Sequence, residues 1–289
     1  MVVLVTGANG QLGQALQFIA GNYPEILFVF CDSKKLDITN PDCIDAIFQE
    51  VKPDFCINTA AYTAVDKAES EPEKAYLINV TGAKNVAIAC KAHTTTLLHV
   101  STDFVFDGTK KIPYNEEDVP NPTGVYGQTK LEGEKAIQVI LEHYYIIRTS
   151  WVYSQFGANF MKTMLRLGLE RDTLSVVNDQ IGTPTHAVDL AEALVPIIII
   201  TSDSFGEGRV GAFGIYNFSN EGQCSWCDFA KKIFEVNNIE IDLNPIPTSS
   251  YPTPAQRPKF SVLDKTKIKT AFGIGILDWE ERLVLHGRI

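Results

Sequence analysis

The sequence predicts an α/β fold: a doubly wound, Rossmann-like parallel sheet carrying a smaller, partly interleaved α/β lobe. Three observations predict it. Apolar runs of strand length alternate with stretches of helical period through the first half of the chain. The first run ends in a glycine-rich turn that opens a helix. After about residue 150 the alternation becomes irregular.

Residues 2–6, Val-Val-Leu-Val-Thr, form a continuous β-branched and aliphatic run, as a strand buried on both faces requires. Leu12, Leu16 and Ile19 then recur at helical spacing. Residues 26–30 are again strand-like. Asn40 followed by Pro41 reads as an N-cap with proline at the first helical position, opening a helix through Val51. Residues 54–58 are expected as a third strand, 73–92 as one long helix, 97–101 as a fourth strand, 127–142 as a helix and 145–149 as a fifth strand. Beyond these, helices are expected at 159–171, 186–199 and 226–237, with short strands near 175–177 and 215–218. Loops rich in glycine and proline are expected at 203–214 and 244–258. The division that follows is a dinucleotide-binding domain over 1–150 and, over 151–289, mainly a substrate-binding lobe.

Composition narrows the class of function. The 289 residues hold 25 Lys+Arg against 35 Asp+Glu, a formal charge of −10, and 45% are hydrophobic. Those values belong to a globular chain, and the acidic balance argues against nucleic acid and anionic membranes as main partners. No stretch approaches the roughly 20 apolar residues of a membrane span. Met1 leads straight into the first strand without a basic n-region, so a cytoplasmic protein is expected. The six cysteines read as reduced thiols. Cys31, Cys43, Cys56 and Cys90 are expected as core fillers. Cys224 and Cys227 form a lone Cys-Ser-Trp-Cys without the second ligand pair that zinc would need.

Between the first strand and helix stands Gly7-Ala8-Asn9-Gly10-Gln11-Leu12-Gly13. In such a turn one glycine permits the tight bend, one lets the backbone approach a pyrophosphate, and the last lets the helix pack close on the sheet. The N–H groups of the helix N-terminus face the phosphate charge. Asp32, about 20 residues beyond the last glycine, stands where a carboxylate meets the adenosine ribose. Ser33, Lys34 and Lys35 follow it and suit a 2′-phosphate, so the residues leave NAD and NADP both open.

Tyr126-Gly127-Gln128-Thr129-Lys130 places a phenol and an ammonium on one face of a helix. A neighbouring cation favours the phenolate and is expected to bring the tyrosine toward the working pH range. Upstream, the fourth strand ends in Ser101-Thr102-Asp103, and hydroxyls at that edge face the crevice in which open α/β sheets bind ligands. A hydroxyl there can steady the oxygen of a reacting carbonyl. Nucleotide cradle, hydroxyl and Tyr/Lys pair together describe hydride transfer to or from a carbonyl.

With these residues in place, the chain resembles the extended short-chain dehydrogenase/reductase family, and within it the branch that reduces dTDP-linked 4-keto-sugars. The matching stretches are Gly7 to Gly13, Asp37-Ile38, NTAAYTAVDKAE at 58–69, STDFVFDG at 101–108, Tyr126 to Lys130, RTSWVY at 148–153, NDQIGTPT at 178–185 and RPKFSVL at 257–263. The resemblance implies NADPH as cofactor, with NADH as an alternative, bound by Gly10, Gln11, Leu12, Asp37, Ile38, Ala61, Tyr62 and Thr63. It implies Tyr126 as proton donor, Lys130 on the nicotinamide ribose, and Thr102, Asp103, Tyr126 and Trp151 on a dTDP-linked keto-sugar. It also implies a monomer or homodimer. Some members of the family dimerise around a metal held by a glutamate early in the first helix; Ala15 occupies that position here, so no metal is expected. The competing expectations are an NAD-dependent nucleotide-sugar 4-epimerase and a catalytically silent nucleotide-binding regulatory subunit.

Overall fold

A computed structural model of the chain describes residues 1–206 and 212–287. β1 (Val2–Thr6) passes through the glycine turn into α1 (Gln11–Ile19), followed by β2 (Leu27–Cys31), α2 (Pro41–Val51) and β3 (Phe55–Asn58). Two short helices, α3 (Val65–Ala68) and α4 (Pro72–Tyr76), and a π-helical segment, Leu77–Gly82, precede α5 (Ala83–Ala92). β4 (Thr96–Thr102), α6 (Val125–Ile140) and β5 (Tyr144–Thr149) complete the regular alternation. The second half contributes β6 (Val152–Tyr153), α7 (Phe160–Glu170), β7 (Thr173–Val177), β8 (Ile181–Gly182), β9 (Thr185–His186) and α8 (Ala187–Gly206). It continues with β10 (Gly214–Asn217), β11 (Cys224–Ser225), α9 (Trp226–Val236), β12 (Asp242–Ile246), α10 (Thr266–Phe272) and α11 (Trp279–His286).

Six strands form one parallel sheet in the order β10-β5-β4-β3-β1-β2. Alternate residues of β1 feed two cores, as the period of two dictates. Val3 and Val5 pack with α1 and α8, and Leu4 packs with α2 and α5. Helices therefore cover both faces, the arrangement of a doubly wound Rossmann-like fold. The strand order reverses between β1 and β3, which opens a crevice at their C-terminal ends. α2 begins as its sequence predicts: Asn40 Oδ1 accepts from the N–H groups of Asp42 and Cys43, and Pro41 fills the first helical position. A third core, including Tyr153, Met161, Phe229, Ile233 and Trp279, holds the second lobe together. No helix among the described residues is long and apolar enough to cross a membrane.

The structure departs from the expected elements at several places. The single helix expected at 73–92 is interrupted by the π-helical turn, where Asn79 Oδ1 accepts from the Tyr62 N–H and its Nδ2 donates to the Tyr62 carbonyl and Thr129 Oγ1. Residues 242–246, partly inside the loop expected at 244–258, pair in parallel with β7 as β12. Of the loop expected at 203–214, α8 takes 203–206 and residues 207–211 lie outside the described residues. β10, from the second half, closes the edge of the main sheet beside β5. Cys43 is half-buried, its thiol near the Lys35 carbonyl, and does not fill the core as Cys31, Cys56 and Cys90 do.

Candidate active site

The crevice deepens into a cleft of about 940 Å³. The β1–α1 turn forms one end. Gly7 adopts φ +66°, and a Cβ there would stand 2.7 Å from the Ala60 nitrogen, so the tight turn requires glycine. α1 opens on the cleft at Gly10, with no side-chain cap and no acidic residue in its first turn. Unopposed backbone N–H groups at a helix N-terminus suit a pyrophosphate. Leu36, Asp37 and Ile38 wall one side, and Ala61 and Thr63 continue from the end of β3. These donors and this apolar slot fit a dinucleotide.

Thr102, Asp103, Tyr126, Lys130 and Trp151 line the same cleft. Thr102 Oγ1 accepts from the Phe104 N–H at 3.2 Å and donates to Asp103 Oδ1 at 3.1 Å. Asp103 is 1% exposed and its Oδ2 lacks a well-formed partner. Burial pushes its carboxyl up to about 6. Tyr126 packs edge-on against Phe104, ring centroids 5.5 Å apart. Loss of hydration pushes its phenol up to about 12; a hydrogen bond with Thr102 favours the phenolate, and the Asp103 charge opposes it. Lys130 is 2% exposed; its Nζ donates to the Val100 carbonyl at 2.7 Å and meets His99 Nε2 at 3.2 Å. Burial draws its ammonium down to about 8, against the favourable charge of Glu134.

The Tyr126 phenol thus differs from the sequence expectation. In the ligand-free protein the direction is opposite to the lowering expected from a neighbouring cation: loss of hydration and the Asp103 charge favour the protonated phenol, the form that donates rather than accepts.

Of the residues singled out from the sequence, Gly7, Gly10, Gln11, Leu12, Asp37, Ile38, Ala61, Thr63, Thr102, Asp103, Tyr126, Lys130 and Trp151 come together on this cleft. Lys34 and Lys35, offered for a 2′-phosphate, do not line it, and neither do three others. Gly13 packs beneath the turn against Ala8. Tyr62 turns its hydroxyl to Glu71 Oε2 at 2.9 Å. The Asp32 carboxylate is taken by the N–H groups of Lys34 and Lys35 and by Asn9 Nδ2, which together hold it below the usual carboxylate range. Ser33, offered from the sequence for a 2′-phosphate, does line it, whereas sequence reasoning missed Thr59, Asn159, Trp226 and Arg257 as lining residues. Trp226 could have been found as an aromatic opening a capped amphipathic helix; Ser225 and Asp228 form its capping box. Arg257, tied to Asp66 at 2.8 and 3.0 Å, carried no local signal beyond the quoted stretch. The Cys224 and Cys227 thiols are buried, and burial raises both, the opposite of a reactive pair.

The model of the RmlD substrate binding domain matches residues 1–286. A dTDP-4-dehydrorhamnose reductase of Aggregatibacter actinomycetemcomitans is 43% identical over 288 residues, 97% of this chain and 96% of the relative. The crystal structure of a dTDP-4-dehydrorhamnose reductase from Clostridium acetobutylicum superposes with a TM-score of 0.92 at 41% identity, covering 99% of this chain and 98% of that one. A Bacillus anthracis dTDP-4-dehydrorhamnose reductase in complex with NADP superposes with a TM-score of 0.89 at 41% identity, over 98% and 96% of the two chains.

Proposed function

Because the chain belongs to the RmlD substrate binding domain family, we propose that it reduces the 4-keto group of dTDP-4-dehydro-L-rhamnose to give dTDP-L-rhamnose, with NADPH as cofactor. One observation carries the reading: a single cleft holds the glycine turn at one end and Thr102, Tyr126, Lys130 and Trp151 at the other.

In this reading the turn and the α1 N-terminus would hold the pyrophosphate, Asp37 and Ile38 the adenine side, and Ala61 and Thr63 the nicotinamide half. NADPH, when bound, would supply a hydride for C4. Thr102 turns its hydroxyl to the C4 oxygen and steadies the charge that builds there. Tyr126 delivers its proton to that oxygen, completing the alcohol. A phenol held near 12 enters the reaction protonated and still yields to an alkoxide, the stronger base. Lys130 holds the nicotinamide ribose. Asp103 and Trp151 hold the nucleotide-sugar. The domain division at about residue 150, a cytoplasmic location and a monomeric or homodimeric state complete the proposal.

Cofactor exchange tests the reading. A reductase must release oxidised cofactor on every turnover, so protein purified and dialysed should carry no tightly held NAD(H) and should bind added NADPH reversibly. Protein that retains stoichiometric NAD(H) through denaturing release would instead be an epimerase.

A further inference from the structure

Thr6 of β1, Asn58 of β3 and His99 of β4 stand on one cross-strand row, directly paired in register. Their side chains form a chain of contacts ending on Lys130. Thr6 Oγ1 donates to Asn58 Oδ1 at 2.6 Å, Asn58 Nδ2 meets His99 Nδ1 at 3.0 Å, and His99 Nε2 meets Lys130 Nζ at 3.2 Å. All four residues are 2% exposed or less. Apolar side chains would fill such a row without the desolvation cost of a polar one, so the polar row points to a task.

Donor and acceptor counting identifies the task. Burial and the neighbouring Lys130 charge hold His99 well below the usual imidazole range, so the ring is neutral and has one N–H and one lone pair. When Lys130 is an ammonium it has no lone pair; Nε2 must accept, the ring proton sits on Nδ1, and Asn58 must offer Nδ1 its Oδ1. When Asn58 instead offers its Nδ2, the ring proton sits on Nε2, and Lys130 must be a neutral amine able to accept it. The amide serves either arrangement by turning over, the Thr6 hydroxyl donating to Oδ1 when Nδ2 faces the ring and accepting from Nδ2 when Oδ1 faces it.

We propose that His99 is a positioning residue for Lys130, and that its two tautomers, selected with the orientation of the Asn58 amide, keep Nζ in one place in both of its charge states. The proposal rests on the reading of Lys130 given above. Passing from the first arrangement to the second releases one proton to solvent: the ammonium becomes an amine, the ring proton moves from Nδ1 to Nε2, and the imidazole is neutral at both ends. The Val100 carbonyl accepts from Nζ throughout. The charged and titratable groups around the unit are Glu134 on α6, bound to Arg148 of β5 at 2.7 and 3.1 Å, Tyr126 on α6, and Asp103 after β4. The π-helical segment packed on α6 brings no titratable side chain.

The direct test is nitrogen-15 NMR of the histidine rings in the ligand-free wild-type protein, with His99 assigned by its loss in His99→Gln. The expected result is an Nδ1–H ring below about pH 7 that becomes an Nε2–H ring above about pH 9. A single tautomer across that range, or an imidazolium, would overturn the proposal. In parallel, His99→Leu takes the Nε2 acceptor from the ammonium, a larger loss than the amine's. It should move the alkaline limb of kcat/KM, where Lys130 loses its proton, at least about one unit toward acid, a tenfold effect; His99→Gln should restore most of it. A Leu variant with an unmoved alkaline limb would also overturn it; if that variant does not fold, the tautomer measurement decides. A tautomer change in a protein that proves not to reduce keto-sugars would leave this proposal standing and remove the functional reading instead.

Discussion

The indole of Trp151 lies flat on that of Trp226, ring centroids 3.5 Å apart and planes 9° from parallel. Gly182 also lies against it, where a Cβ would stand 2.5 Å from the Trp151 ring. Trp151 holds this position with φ +47°, a left-handed conformation of the kind retained at binding sites. Both indoles also line the cleft. From sequence, a core tryptophan and a substrate-contacting one are alternatives; here one ring is packed on its flank and presented to the cleft.

Trp226→Ala should therefore loosen Trp151 and raise the KM for nucleotide-sugar about two- to tenfold, in line with the roughly 0.5–1.5 kcal/mol of a stacked aromatic pair. Trp151→Ala should do at least as much. NADPH affinity, read by fluorescence titration, should stay within about twofold in both. Unchanged KM values with a lowered melting temperature would make the pair purely structural.

Tyr126→Phe should lower turnover by at least about 10²-fold while NADPH still binds, because only the positioned proton is lost. Turnover close to wild type would remove Tyr126 as the acid.

Asp103→Asn should stabilise the protein at neutral pH. The folded carboxyl is held near 6 against an ordinary 3.8, so the folded state binds more protons than the unfolded one between those values, and stability falls as pH rises through them. Above about pH 6 the wild type carries the whole penalty, up to about 3 kcal/mol, and below about pH 4 it carries none. The variant's gain in melting temperature should accordingly appear at pH 7 and vanish near pH 4. Activity should fall at the same time, since a less stable site is the cost of a poised one. A variant that melts lower than wild type at pH 7 would contradict this.

Treatment with EDTA should leave activity and sedimentation unchanged. Ala15 is fully buried in the core that α1 shares with α8. Ala15→Glu should therefore bury a charge and destabilise the fold by several kcal/mol rather than create a metal site. Loss of activity or of an oligomer on EDTA treatment would show a metal site built by other residues.

Much of the sheet was legible because its strands are short apolar runs buried on both faces, as at Leu4 and Val5, and because Asn40-Pro41 marks a helix start by local chemistry. The π-helical turn was not, since its cause is tertiary: Asn79 must reach Tyr62 and Thr129. β12 was hidden by Asn244 and Pro245, which read as loop yet stand in a two-stranded ladder. In the site, spacing brought out Tyr126 and Lys130, which share one helix face. It could not bring out Trp226 or Arg257, which reach the cleft from distant segments. Asp32 occupied the expected position in sequence, yet its own turn captures its carboxylate. His99 carried no signal either, because its partners come from β3 and α6.

The central claim is tested most directly by mixing purified protein with NADPH and dTDP-4-dehydro-L-rhamnose, following cofactor absorbance, and identifying the sugar by NMR. One NADPH should be oxidised for each dTDP-L-rhamnose formed, with no oxidation when the keto-sugar is omitted. Absence of NADPH oxidation, or conversion of a dTDP-hexose into its C4 epimer without net consumption of cofactor, would contradict it.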